Sequence, residues 1–297
     1  MDVRRPNGPA RRSSRPGRDE QEESPVLWVT ERPKLNRPVL IASFEGWNDA
    51  GEAASLANAY LAKVWDATPF AEIDPEEFFD FTEVRPEVRH TDGQRRIVWP
   101  STTLSYSLDP SGGRDVVLMS GYEPHLRWRT FCRAVLEIAQ ELEIERVVTL
   151  GAYLAEVTHH REVPVNVVLS DDPNRPPRRS LYEGPTGIVG VLQATLTEAQ
   201  FPSGSMWASV PCYSSPVSAK AALALVSSVA AYVDRPVDLG ELNEAADAYE
   251  QRMDELVAED EHVAAYVARI KEMEDASGDV SAEGLAEEIE RFLQDRQ

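Results

Sequence analysis

Cysteine is nearly missing from this chain, with two in 297 residues, Cys132 and Cys212, and neither sits in a Cys-x-x-Cys spacing. That excludes a disulfide scaffold or a cysteine-ligated zinc module and suits a reducing compartment, so a cytoplasmic protein is expected. Positive charge is also short, 30 Lys and Arg against 51 Asp and Glu, for a net charge of −21. Nucleic-acid binding needs a concentrated basic face, so that class of partner is set aside. No apolar run reaches the about 18 residues of a membrane span, and no membrane association is expected. The stretch from Ala219 to Val233 is shorter and reads as a buried helix. Behind Met1-Asp2-Val3-Arg4-Arg5 no apolar segment follows, so no secretory signal is expected. A Gly-x-Gly-x-x-Gly fingerprint, a P-loop lysine and a Gly-x-Ser-x-Gly elbow are all lacking, and the sequence calls for no cofactor and assigns no catalytic residue.

What is present is unevenly spread. Residues 1–18 hold six arginines and one acid, whereas residues 238–297 hold nineteen acids and five bases. Residues 1–24 have almost no apolar content, which cannot offset the entropy of ordering, so a disordered basic leader is expected there. Order is expected from Val26-Leu27-Trp28-Val29. Beyond it, short apolar runs alternate with longer amphipathic ones. Pro38 to Phe44, Val116 to Met119, Val147 to Leu150, Pro164 to Leu169 and Met206 to Pro211 read as strands. Asp49 to Trp65, His125 to Leu142, Gly187 to Ala199 and Ser218 to Tyr232 read as helices. The alternation predicts an α/β domain over residues 25–235, with a mainly parallel sheet flanked by helices. Segment 66–114 breaks the rhythm; it reads as an insertion or added hairpin, with a strand from Arg95 to Trp99 and aromatics at Phe78-Phe79-Asp80-Phe81.

An acidic helical carboxyl-terminal extension is expected over residues 236–297. Leu242, Ala246, Tyr249, Met253, Leu256, Asp260, Val263, Val267 and Ile270 recur in steps of four and three, an apolar seam with Asp260 its one polar defect. The spacing predicts one long helix over 238–274, packed on the body or on a neighbouring subunit. Ser277-Gly278 reads as a break, and Ser281 as the cap of a last short helix.

Four loops lie just past strands or at helix starts, where open α/β sheets place ligands. Glu45-Gly46-Trp47-Asn48-Asp49 follows a buried strand; Asp49 suits a helix cap, and Glu45 beside Trp47 suits an acid or base with a raised pKa. In Gly121-Tyr122-Glu123-Pro124-His125-Leu126-Arg127, Glu123 and His125 straddle a proline and suit a proton relay, or else a helix-end charge and a surface residue. Arg127 suits an anion or a salt bridge. Gly151 permits close backbone approach. Tyr182-Glu183-Gly184-Pro185-Thr186-Gly187 offers an anion cradle at a helix start, or an ordinary cap at Thr186. His159-His160-Arg161 and Asp171-Asp172 invite a metal, but a third or fourth ligand at a recognised spacing is missing, so none is assigned.

Taken together and in order, Glu45 to Gly51, Gly121 to Arg129, Val148 to Ala152 and Tyr182 to Gly190 resemble the proteasome-assembly-chaperone-2-like family, in its actinobacterial branch, over roughly residues 35–235. The resemblance implies an α/β sandwich related in architecture to purine nucleoside phosphorylases and peptidyl hydrolases. It also implies a homo-oligomer, often a trimer, working by protein binding and assembly, with a proteasome as possible partner. Archaeal relatives dock through a terminal hydrophobic-Tyr-any motif; this chain ends Asp295-Arg296-Gln297, and docking by that route is not expected. The alternative reading is a small-molecule enzyme using Glu45, Glu123 and His125.

Overall fold

A computed structural model of the chain describes residues 25–91, 93–170, 184–213 and 217–277. The expectations for the leader, for Asp171-Asp172, for Tyr182 and Glu183, and for everything after Ser277 lie outside the described residues.

The chain enters through β1 (Val26–Trp28) and the apolar β2 (Val39–Glu45), then α1 (Ala53–Val64). Segment 66–114 supplies β3 (Thr68–Ile73), the ribbon strands β4 (Glu87–Thr91) and β5 (Gln94–Val98), and β6 (Thr102–Ser107). Next come β7 (Val116–Tyr122), α2 (Trp128–Glu141), β8 (Arg146–Ala155), β9 (Val165–Leu169), α3 (Ile188–Glu198) and β10 (Ser203–Pro211). Helices α4 (Ala219–Val233), α5 (Gly240–Glu259) and α6 (Glu261–Ser277) follow.

Eight strands form one sheet in the order β1-β3-β6-β7-β2-β8-β10-β9, while β4 and β5 pair only with each other. The four central strands, β7, β2, β8 and β10, are parallel. Antiparallel strands flank them: β6, β3 and β1 on one side and β9 on the other. The central strands read as unbroken apolar runs because both faces are covered. On β2, Leu40, Ala42 and Phe44 share a core with α2 and α3, whereas Val39 and Ile41 share the opposite core with α1 and α4. That alternation is the period of two expected of a strand in the middle of three layers. Phe131 of α2 lies edge-on to Phe44 and Phe78, with centroids 5.8 and 5.3 Å away. Burying each such ring is worth about 1.5–3 kcal/mol.

Segment 66–114 does contain the expected hairpin, but it also adds β3 and β6 to the main sheet. Their short polar sequences, TPFAEI and TTLSYS, carry little strand signal by themselves. In the extension the seam faces inward as its spacing requires: Leu242, Ala246, Tyr249, Met253, Val267 and Ile270 are buried. The single long helix is corrected to two. Asp260 has extended backbone, φ −128° and ψ 111°, and its Oδ1 accepts from the main-chain N–H groups of His262 and Val263. The polar defect in the seam is therefore a helix break and the cap of the next helix.

Candidate functional site

At the carboxyl ends of β2 and β7, two loops meet. The main-chain N–H of Glu123 donates to the carbonyl of Glu45 at 2.8 Å, extending the parallel pairing of these strands. Asn48 is buried; its amide donates to Glu123 Oε1 at 3.2 Å, and its carbonyl accepts from Ala152 N–H at 2.8 Å, tying in β8. Ile188, the first residue of α3, donates its N–H to the same Glu123 Oε1 at 2.7 Å. Gly187 makes this approach possible, since a Cβ there would stand 2.3 Å from Asn48 Nδ2 and 2.8 Å from Glu123 Oε1. A helix N-terminus attracts an anion, and here the protein supplies its own carboxylate from a loop 65 residues earlier. Asp49 does the same for α1: its Oδ1 accepts from Ala54 N–H at 2.7 Å.

Burial raises the pKa of Asp49, against the lowering pull of the hydrogen bonds it accepts from Ser55 and Ala54. Desolvation of its carboxyl and then the charge of Asp49 raise Glu45, while a hydrogen bond from the Tyr122 hydroxyl opposes them. The arrangement leaves Glu45 as an exposed carboxylate on a rim whose inner carboxylates already hold backbone N–H groups.

Other sequence candidates make different contacts. His125 turns to the aromatic segment: its N–H donates to Phe78 O at 2.8 Å, its Nδ1 accepts from Asp80 N–H at 3.1 Å, and its ring lies edge-on to Phe79. Arg127 pairs with Glu77 at 2.7 Å. Glu123 and His125, two residues apart in sequence, thus serve opposite sides of Pro124, and the relay geometry is not formed. Gly151 lies within β8, where an added Cβ would stand 2.6 Å from the Trp207 ring; the close approach is to a side chain of the sheet. Trp47 is half-buried, and Gly184 and Thr186 are exposed. Gly187, not Thr186, sits at the cap position of α3, and it supplies no side-chain cap.

Two features carried little sequence signal. The loop after β8 meets α5, and Val157, Thr158, His159, Arg161 to Pro164, Ser209, Pro211, Ser218, Lys220 and Tyr249 border a small cleft. Beside it, His159 and His160 meet Asp254, a residue 95 positions from His159 and invisible to local spacing. The second feature is the β4–β5 ribbon. Every described residue of both strands is exposed, including Val88, Ile97 and Val98, with Trp99 beyond them. Residues 88 and 97 pair on one face, and Arg89 and Arg96 pair on the other.

The fold and these sites define an α/β-sandwich protein with a helical carboxyl-terminal arm, in which Glu123 and Asp49 at the sheet end hold helix termini of the same chain. The family model of the PAC2 family matches residues 43–257, and the chain belongs to that family. A PAC2 family protein from Streptomyces avermitilis is 46% identical, with 77% of this chain and 99% of that one covered and a TM-score of 0.71. A Mycobacterium tuberculosis protein described as a proteasome-assembly chaperone homologue is 43% identical, with 77% and 99% covered and a TM-score of 0.69. An archaeal proteasome activator from Pyrococcus furiosus, at 19% identity, shares the fold over 78% of this chain and 99% of its own, with a TM-score of 0.63. Among curated proteins none matches the chain. No helix among the described residues is long and apolar enough to cross a membrane.

Proposed function

We propose that this chain works by protein binding, as a proteasome-assembly chaperone that is itself a homo-oligomer, a trimer, with the β4–β5 ribbon as its contact surface. The observation that carries the proposal is the exposure of that ribbon. A two-stranded ribbon by itself is marginal in water, and an apolar pair such as Val88 and Ile97 left wet marks a surface that another chain completes. Its charge fits a second copy. Arg85, Arg89, Arg95 and Arg96 make the ribbon region basic on a chain whose net charge is −21, so the acidic surface of a neighbouring copy complements it. Arg89 and Arg96 face each other across the strands, where like charges repel; Glu87 pairs with Arg89 at 2.8 Å and offsets part of that repulsion. The client follows from the relative described as a proteasome-assembly chaperone homologue. The setting is the cytoplasm, where the free cysteines Cys132 and Cys212 stay reduced.

The experiment is to mix the purified chain with proteasome α-subunits and follow ring formation by native mass spectrometry. Faster ring formation, with a complex containing both proteins, is the expected result. Unchanged ring kinetics and no mixed species would contradict the assembly role.

A further inference from the structure

The junction of the β8–β9 loop with α5 has the geometry of a metal site. We infer that His159, His160 and Asp254 bind one first-row divalent cation of the Zn2+ class, clasping the carboxyl-terminal arm to the α/β body. Ligand atoms of these three residues all lie within 4.8 Å of one another. His159 Nε2 and His160 Nε2 are each 3.2 Å from Asp254 Oδ1. Ligands held about 2.0–2.1 Å from a tetrahedral ion are separated by about 3.3 Å, so two edges of the polyhedron are already in place.

The tethers on the far side of each ring are an independent observation. A metal-bound imidazole is oriented by a hydrogen bond at its other nitrogen. His159 Nδ1 lies 2.9 Å from the Tyr213 hydroxyl, which also accepts the His159 main-chain N–H at 3.0 Å. His160 Nδ1 lies 3.2 Å from Glu250 Oε1, and Glu250 is held in turn by Lys220 Nζ at 3.2 Å from its other oxygen. Both Nδ1 atoms are thus engaged, and both Nε2 atoms converge on one carboxylate oxygen. The rings stand 4.0 Å apart. Imidazole with one carboxylate selects Zn2+ and its neighbours over Mg2+ or Ca2+, which prefer all-oxygen shells. His160 and Asp254 are exposed, which gives an ion a path in and leaves a coordination position open to water.

The test is titration of the full-length, tag-free chain with Zn2+ by calorimetry and with Co2+ by visible absorption. One ion per chain is expected, with the absorption of four-coordinate Co2+. His160→Ala and Asp254→Ala, both at exposed positions, should each weaken binding by at least about 100-fold, and Glu250→Gln, which loosens only the tether, by about 10–100-fold. His90→Ala and His262→Ala should leave it unchanged. Circular dichroism of each variant separates lost ligands from lost fold. Absence of a one-to-one site, or binding that survives His160→Ala combined with Asp254→Ala, overturns the inference.

Discussion

The carboxyl edge of β2 and β7 and the β4–β5 ribbon are opposites. At the edge, polar groups find partners within the chain: Glu123 takes the N–H of Ile188 and the amide of Asn48, and Asp49 takes the N–H of Ala54. On the ribbon, apolar and cationic side chains lie open to water. A polar group satisfied at home has little to offer a partner, whereas an apolar strand pair left wet gains free energy only by meeting one. On the proposed reading, the binding work of this protein falls on the ribbon and the motif-rich edge has a fold-holding task.

That contrast can be broken at the edge first, where the effects on stability should be largest. Glu123→Ala strips the acceptor from two donors in a half-buried setting and should cost about 2–3 kcal/mol in chemical denaturation. A loss below about 0.5 kcal/mol would mean that water replaces the carboxylate and that the edge is open to ligands after all. Gly187→Ala drives a methyl toward Asn48 and Glu123 and should cost about 1–3 kcal/mol, since overpacking forces its neighbours to move.

Asp49 sharpens the comparison through pH. Asp49→Ala should cost about 1 kcal/mol as a lost cap, and Asp49→Asn less, because the amide oxygen still accepts. Burial raises Asp49 above its ordinary value of 3.8 in the folded state. A raised folded pKa means that the native form holds the proton more tightly than the unfolded chain. This group's contribution is therefore complete below the unfolded pKa and lost as pH rises through the folded one. Relative to Asp49→Asn, the wild type should gain stability as pH falls from neutrality toward 4, and a gap between the two that stays constant with pH would remove burial as the cause.

Much of the fold was legible in the sequence. Buried parallel strands announce themselves as apolar runs, so β2, β7, β8 and β10 could be read directly. β3 and β6 could not, because their strand character comes from pairing with each other and with β7. Glu45, Asp49 and Glu123 were recognisable as carboxylates at strand ends. That Glu123 would serve α3 while His125 served the segment at Phe78 depends on contacts 65 and 45 residues away. Asp260 looked like a flaw in the seam; only the extended backbone at that residue shows it to be a cap. Asp254, four residues past Glu250 and so one helical turn along, gave no sign that it would meet two histidines from another part of the chain.

On the ribbon the effect on fold stability should be smallest and the effect on assembly complete. Val88→Asp with Ile97→Asp changes two exposed side chains and should leave monomer stability within about 0.5 kcal/mol. The most direct test is light scattering of the wild type and this double variant at micromolar concentration. A wild-type mass three times the 33.1 kDa of the chain and a variant mass of 33.1 kDa are expected. A wild type that runs as a 33.1 kDa monomer, or a double variant that keeps the wild-type mass, would contradict it.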